Sequence, residues 1–216
     1  MLGAMESGPD PLAIVLPIVG PLLFVGVMLF LVWRQAEGQR KVWSAFAARR
    51  DWGFSASKSF LGLTSILEAQ GLHRGYQVSV IPERRGSGNK NHQVTVLRVD
   101  LSRVVPAELA LTPEDRLFKF FGGKDTELGD AALDGALEMQ GVTPEALELL
   151  QEASVRRYLL EAHQSFEHFS IEDGLLEAVH RGVPKSPDEL ESVMAPVLGL
   201  VDALDNAALH AKKRRA

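Results

Sequence analysis

The chain has 216 residues, no cysteine and a formal net charge of −5. That balance argues against a general basic field for nucleic acid. The lack of cysteine fits a reducing compartment and removes thiolate as a metal ligand. Charge is unevenly spread: Arg34 to Arg50 and the tail Lys212-Lys213-Arg214-Arg215 are basic, whereas Glu114 to Glu148 is strongly acidic.

The first element is an apolar run from Pro11 to Trp33 that holds no charged side chain. About 20 such residues rise roughly 30 Å as a helix, the thickness of a bilayer's hydrocarbon core. Asp10 is placed to cap this helix, Pro11 fits the first turn, and Trp33 suits the membrane interface. Pro17 and Pro21 each remove a backbone bond, so a kink is expected in the first half. A cleaved signal peptide would need a positive n-region, but only Glu6 and Asp10 precede the run. Basic residues follow it and none precede it, so the positive-inside rule places the remainder in the cytoplasm. The expected organisation is a short extracytoplasmic segment over 1–10, a transmembrane helix over 11–33, a juxtamembrane helix over 34–53, and a cytosolic domain over 54–216. Localisation is then a single-pass protein of the inner (cytoplasmic) membrane, N-terminus out. Arg34, Arg40, Lys41, Arg49 and Arg50 are the candidate contacts to anionic lipid, at about 1 kcal/mol each. Gly20 and Gly26 do not form the Gly-x-x-x-Gly pairing motif.

Glu37 to Asp51 reads as a helix with Val42, Trp43, Phe46, Ala47 and Arg50 at three- and four-residue spacing, packed on the domain and stopped by Gly53. From Leu67 the period becomes two. Residues 67–72 and 76–80 read as strands joined near His73-Arg74-Gly75, with Pro82 ending the second and a flexible loop over 84–91. A third strand over 92–101 switches parity: Val94 and Val96 share one face, Leu97, Val99 and Leu101 the other. Either a bulge or burial of both faces accounts for that. Leu109 and Leu111 indicate a short strand, Thr112-Pro113-Glu114 a helical turn ending at Gly122-Gly123, and Leu133, Leu137 and Met139 a strand ending at Gly141. Helical periodicity then runs from Thr143 to Ala162 with a break near Ser154. Asp173-Gly174 predicts a two-residue type I′ hairpin that pairs Ile171 with Leu176 and Phe169 with Ala178. Ser186, Pro187 and Glu189 start a final helix, with Pro196 expected to bend it. The fold class is α+β, an antiparallel sheet of about seven strands with a long C-terminal helix. Strands closed by such a helix are similar to pleckstrin-homology-like barrels.

Catalytic and metal signatures are weak. Gly86-Ser87-Gly88-Asn89-Lys90 and Gly122-Gly123-Lys124-Asp125 lack phosphate-loop spacing. Ser55-Ala56-Ser57-Lys58 matches Ser-x-x-Lys without a Lys-Thr-Gly partner. The histidines (73, 92, 163, 168, 180 and 210) show no ligand spacing, although His168 and His180 lie on the two arms of one hairpin. Asp125, Glu127, Asp130 and Asp134 have carboxylates suited to Mg²⁺ or Ca²⁺ but not the spacing of a regular calcium loop. Phe118, Phe120 and Phe121 read as core or, if exposed, as a partner patch.

In its ordering the chain resembles a loose family of uncharacterised bacterial single-span membrane proteins with a cytosolic domain of unknown function. The resemblance rests on Trp43-Ser44-Ala45-Phe46-Ala47 ending at Trp52-Gly53-Phe54, on Gly71 and Gly75 before Tyr76-Gln77-Val78, on Gly129-Asp130 with Asp134, on Val155-Arg156, and on Glu172-Asp173-Gly174. Where the family pattern flanks Asp134 with aromatics, this chain has Leu133 and Gly135. The resemblance implies architecture and no activity. The expected function is a non-catalytic, membrane-tethered interaction module with no cofactor and no metal. Its expected partners are the lipid bilayer and a membrane or cytosolic protein. The alternatives are an anionic-lipid sensor using Arg34 to Arg50, the Arg84-Arg85 loop and the basic tail, and an acidic-residue enzyme using Asp130 and Asp134.

Overall fold

The computed structural model describes residues 11–58, 65–86, 91–113 and 130–215. The Asp10 cap, the loop over 87–90, the turn after Pro113, the three phenylalanines, Asp125 and Glu127 lie outside the described residues. The order is α1 (Pro11–Arg49), β1 (Gly53–Lys58), β2 (Ser65–His73), β3 (Tyr76–Arg85), β4 (His92–Asp100), β5 (Ala110–Pro113), α2 (Ala131–Asp134), β6 (Leu137–Gln140), α3 (Pro144–Leu150), α4 (Ala153–Ser165), β7 (His168–Glu172), β8 (Leu175–Arg181) and α5 (Pro187–Arg215). The strands form one antiparallel sheet ordered β1-β2-β3-β4-β8-β7-β5-β6. Its edges are β1 and β6, so among the described residues it is an open sheet and not a closed barrel.

Helix α1 runs unbroken for 39 residues, about 58 Å at 1.5 Å per residue. The apolar run and the Trp43 stripe are therefore one rod, because nothing between Arg34 and Gly38 supplies a cap. Its end differs from the expected glycine stop. The left-handed residue is Asp51 (φ 55), while Gly53 already begins β1. Trp52 N–H donates to Ala47 O at 2.8 Å and Asp51 N–H to Ala48 O at 3.4 Å, the paired bonds of a Schellman motif. The accompanying apolar contact is Trp52 edge-on to Phe46, ring centroids 5.8 Å apart.

Burial of both faces, not a bulge, explains the parity of β4. Its register runs continuously from Val94 to Val99 against both β3 and β8. Leu97 and Val99 join the main core, while Val94, Val96 and Val179 form a second buried cluster behind the sheet. Strand β3 continues past Pro82, which the sequence pattern had ending it. The β2–β3 pairing stops at Ala69–Val80, so the proline sits where no β2 carbonyl expects an N–H. The hairpin forms as expected: Asp173 and Gly174 have φ of 51° and 74°, and Ile171 pairs with Leu176, Phe169 with Ala178. Arg74-Gly75 makes the same left-handed pair between β2 and β3.

Two elements differ from expectation. Leu133 lies in a helical turn, because Asp130 caps it by accepting from Ala132 and Leu133 N–H. Residues 53–58 form a strand, the sheet edge, through pairing with 65–70. Helix α5 carries the capping box, with Glu189 N–H donating to Ser186 Oγ at 3.1 Å and Glu189 Oε2 accepting from Lys185 N–H at 2.7 Å. Among the described residues α5 is the one helix that is long and apolar enough to cross a membrane by length and composition. Half of that window is buried, with Leu190, Met194, Val197, Val201 and Leu204 in the main core. It is the core helix of the domain.

Candidate functional site

The candidate lipid contacts divide into two groups. Arg49 pairs with Asp188, and Arg50 Nε lies 2.9 Å from both Glu191 carboxylate oxygens. The Arg50 guanidinium also sits over the Trp52 and Phe46 rings. Both arginines therefore fasten the end of α1 to the start of α5. Arg34 and Lys41 are exposed and Arg40 is half-buried, so these three stay on the free part of the rod.

The basic tail is not frayed. It is helical to Arg215, and its last two arginines reach α3. Arg214 Nη2 donates to Glu148 Oε1 at 2.9 Å, and Arg215 Nη2 to Glu148 Oε2 at 2.8 Å. Those bonds hold the Glu148 carboxyl below its ordinary range. Arg85 of the other proposed lipid grip is also engaged, within an Arg85, Arg98, Glu83 and Glu177 network over the second valine cluster. Arg98 Nε donates to Glu177 Oε2 at 2.9 Å and Arg98 Nη2 to Glu83 Oε1 at 3.0 Å, while Arg85 Nη2 donates to Glu177 Oε1 at 2.8 Å. Burial alone would raise the Glu177 carboxyl, but the hydrogen bonds from Arg85 and Arg98 outweigh it and hold it below its ordinary 4.5. A depressed folded-state value contributes stability that is present above the unfolded value and lost as pH falls through the folded one. Glu177→Gln should therefore flatten the fall in stability between pH 5 and pH 3. The effect should be about 1 kcal/mol, kept small because the side chain leaves 23% of its surface in water. Urea unfolding of both proteins at pH 7 and pH 3.5 measures the difference, and equal slopes would rule the network out as the source.

A second polar constellation fixes the β2–β3 turn to the middle of α5. His73 Nε2 lies 2.7 Å from Asp202 Oδ1, Arg74 Nε 2.8 Å from the same oxygen, and Tyr76 Oη donates to Asp205 Oδ1 at 2.8 Å. Arg103 covers the Tyr76 ring at 5.3 Å and donates to Gly75 O. Burial, then the bond to Asp205, pushes the Tyr76 phenol up to about 12. It stays a donor at neutral pH, so the Tyr76–Asp205 bond clamps the turn to α5.

Asp130 and Asp134 stand at the two ends of the single turn of α2, where Asp134 N–H donates to Asp130 O at 2.8 Å, and the other catalytic and metal candidates lie apart from them. Asp130 caps α2 and pairs with Arg156 at 3.4 Å. Ser55 and Lys58 lie three residues apart on an extended strand, about 10 Å. His168 pairs with Val179 and His180 with Thr95, which puts the two histidines on opposite faces of the sheet. Among the described residues no group of three or more His, Asp or Glu is placed to hold a metal ion.

A cleft of about 450 Å³ opens where α1 leaves the domain. Gln35, Gly38, Gln39 and Val42 form one wall, and Gln93, Gly182, Val183 and Lys185 the other. Of the first wall, Val42 belongs to the helical stripe read in the sequence. In the second, Gln93 comes from β4 and Gly182, Val183 and Lys185 from the β8–α5 connection, about 140 residues away, and no local pattern announces their meeting.

No protein-family model matches the chain, and no curated protein does. Among solved structures it is similar to the crystal structure of the mycobacterial trehalose monomycolate transport factor A, TtfA, at 12% identity and a TM-score of 0.47. That similarity covers 77% of this chain and 94% of TtfA. At that TM-score neither a shared fold nor a shared role follows.

Proposed function

We propose that the chain is a membrane-tethered, non-catalytic interaction module whose N-terminal half of α1 crosses the bilayer and whose domain lies on the cytoplasmic side. One observation carries this reading. Leu23, Phe24, Val25 and Val27 to Trp33 are each 42–66% exposed, apolar on every side of the helix, while the same helix buries Trp43 and Phe46 completely about three to four turns later. A helix apolar all round is suited to lipid, and one with a single buried stripe is suited to a domain surface. Arg34, Arg40 and Lys41 directly after Trp33 support the cytoplasmic orientation.

For the interaction, Ile66 and Leu72 stand 61% and 68% exposed on the outer face of β2, next to the open edge β1. Unpaired edges and exposed apolar side chains invite a protein partner. The distributed lipid grip is weakened by its own geometry, since Arg49, Arg50, Arg85, Arg214 and Arg215 all have carboxylate partners.

The test is carbonate extraction of membranes holding the full chain. The protein should stay in the pellet, and a variant with Phe24, Val27 and Leu31 replaced by arginine should move to the soluble fraction, because the bilayer core rejects those charges. A C-terminal tag should be protected from protease in intact spheroplasts. Release of the unaltered protein by carbonate would sink the tether, and a digested tag would sink the orientation. Crosslinking from native membranes, with an anchor-only control, then identifies the partner.

A further inference from the structure

We infer that the cleft between α1 and the β8–α5 connection binds the headgroup of an anionic phospholipid from the bilayer that holds the chain. This rests on the membrane reading above and narrows it to one site.

The argument begins with spacing. Met28, Leu31, Gln35, Gly38 and Val42 recur at alternating three- and four-residue steps, so they share one face of α1. Met28 and Leu31 are about half exposed, at 49% and 51%, and lie in the apolar half. Gln35, Gly38 and Val42 line the cleft. One face therefore runs from wholly apolar into a mixed cleft wall that begins with the Gln35 amide, which matches a phospholipid at the junction of acyl chain and headgroup.

Depth agrees with this. With Trp33 at the interface, Gln35 to Val42 lie about 3–14 Å further along the axis. The headgroup layer of one leaflet is roughly 5–8 Å thick, so the cleft opens inside it. Charge agrees as well. Among the described residues Lys185 is the one charged residue lining the cleft, and Arg34 and Lys41, seven residues apart, share the neighbouring flank of α1. Gln35, Gln39 and Gln93 add amide donors suited to phosphate and glycerol oxygens. The Lys185 backbone N–H is already committed to Glu189 Oε2, so the positive charge Lys185 can offer a ligand is its side-chain ammonium.

Space permits a clean test. A Cβ built at Gly38 meets nothing within 4 Å, so the helix accepts a side chain there and Gly38→Leu places one at the cleft wall. The full chain is placed in phosphatidylcholine nanodiscs containing 2 mol% (roughly) of a photoactivatable phosphatidylglycerol, and crosslinked peptides are mapped by mass spectrometry. Label should concentrate on 35–42 and 182–185, and excess phosphatidylglycerol but not phosphatidylcholine should compete it away. Gly38→Leu and Lys185→Gln should each reduce cleft labelling about fivefold or more while labelling of 23–33 and thermal melting stay unchanged. Label confined to 23–33, equal competition by both lipids, or no effect of either substitution overturns the site and leaves the tether standing. Failure of the chain to enter nanodiscs overturns both.

Discussion

Replacing Trp43 with alanine should destabilise the domain by about 3–5 kcal/mol, the range for truncating a fully buried large aromatic. Trp43 is completely buried, as are its α1 neighbours Phe46 and Ala47 to within 1%. Together they bind the second half of the rod to the sheet and α5. The indole N–H has no hydrogen-bond partner among the described residues, so the whole expected loss is packing. Trp43→Phe keeps most of the volume and removes that buried donor, and should cost less than about 1.5 kcal/mol. Urea unfolding monitored by circular dichroism separates the two. A Trp43→Ala protein within about 1 kcal/mol of the parent would mean that α1 is not docked as described. The functional consequence is mechanical. With α1 undocked, its N-terminal half no longer holds a fixed orientation relative to the domain.

Much of this architecture is legible locally. The Asp173-Gly174 hairpin and the Ser186–Glu189 box are short motifs whose chemistry determines backbone geometry within a few residues, and both form as read. The features that escaped are those decided by distant partners. Lys212 to Arg215 reads as a free cationic tail because its counter-charges, Glu148 and Glu152, are more than 60 residues earlier. Arg50 reads as a lipid contact because Glu191 is 141 residues away. Residues 53–58 alternate over only four positions, Phe54 and Ala56 against Ser55 and Ser57, and it is the pairing with 65–70 that makes them a strand. Leu133 fits a strand by its spacing to Leu137 and Met139, yet one capping aspartate turns its segment helical. The cleft combines both cases: Val42 on its α1 wall lies in a readable stripe, and its other wall exists only after the sheet has brought β4 and the β8–α5 connection alongside.

Gly71→Ala should cost about 1–3 kcal/mol, toward the upper end, although propensity alone predicts the opposite sign. In a strand, glycine is worse than alanine by roughly 0.5–1 kcal/mol. Here a Cβ would lie 2.2 Å from Cδ1 and 2.3 Å from Cγ of Trp52, well inside contact distance. The ring has little freedom to withdraw. Its backbone N–H closes the α1 cap on Ala47, Nε1 donates to Leu72 O at 3.3 Å, Phe46 stands edge-on to it, and the Arg50 guanidinium covers it at 5.5 Å. Moving the indole therefore means loosening the Schellman cap or displacing β2, and overpacking of that kind is what destabilises dense cores. A double-mutant cycle isolates the cause. In a Trp52→Ala background the clash is gone, so Gly71→Ala should become neutral or stabilising by up to about 1 kcal/mol. If the cost persists without the indole, strand geometry and not the Trp52 contact requires the glycine. If the sign reverses, then α1 and the sheet edge are held at a separation that only glycine permits. The angle at which α1 meets the sheet is then set at residue 71.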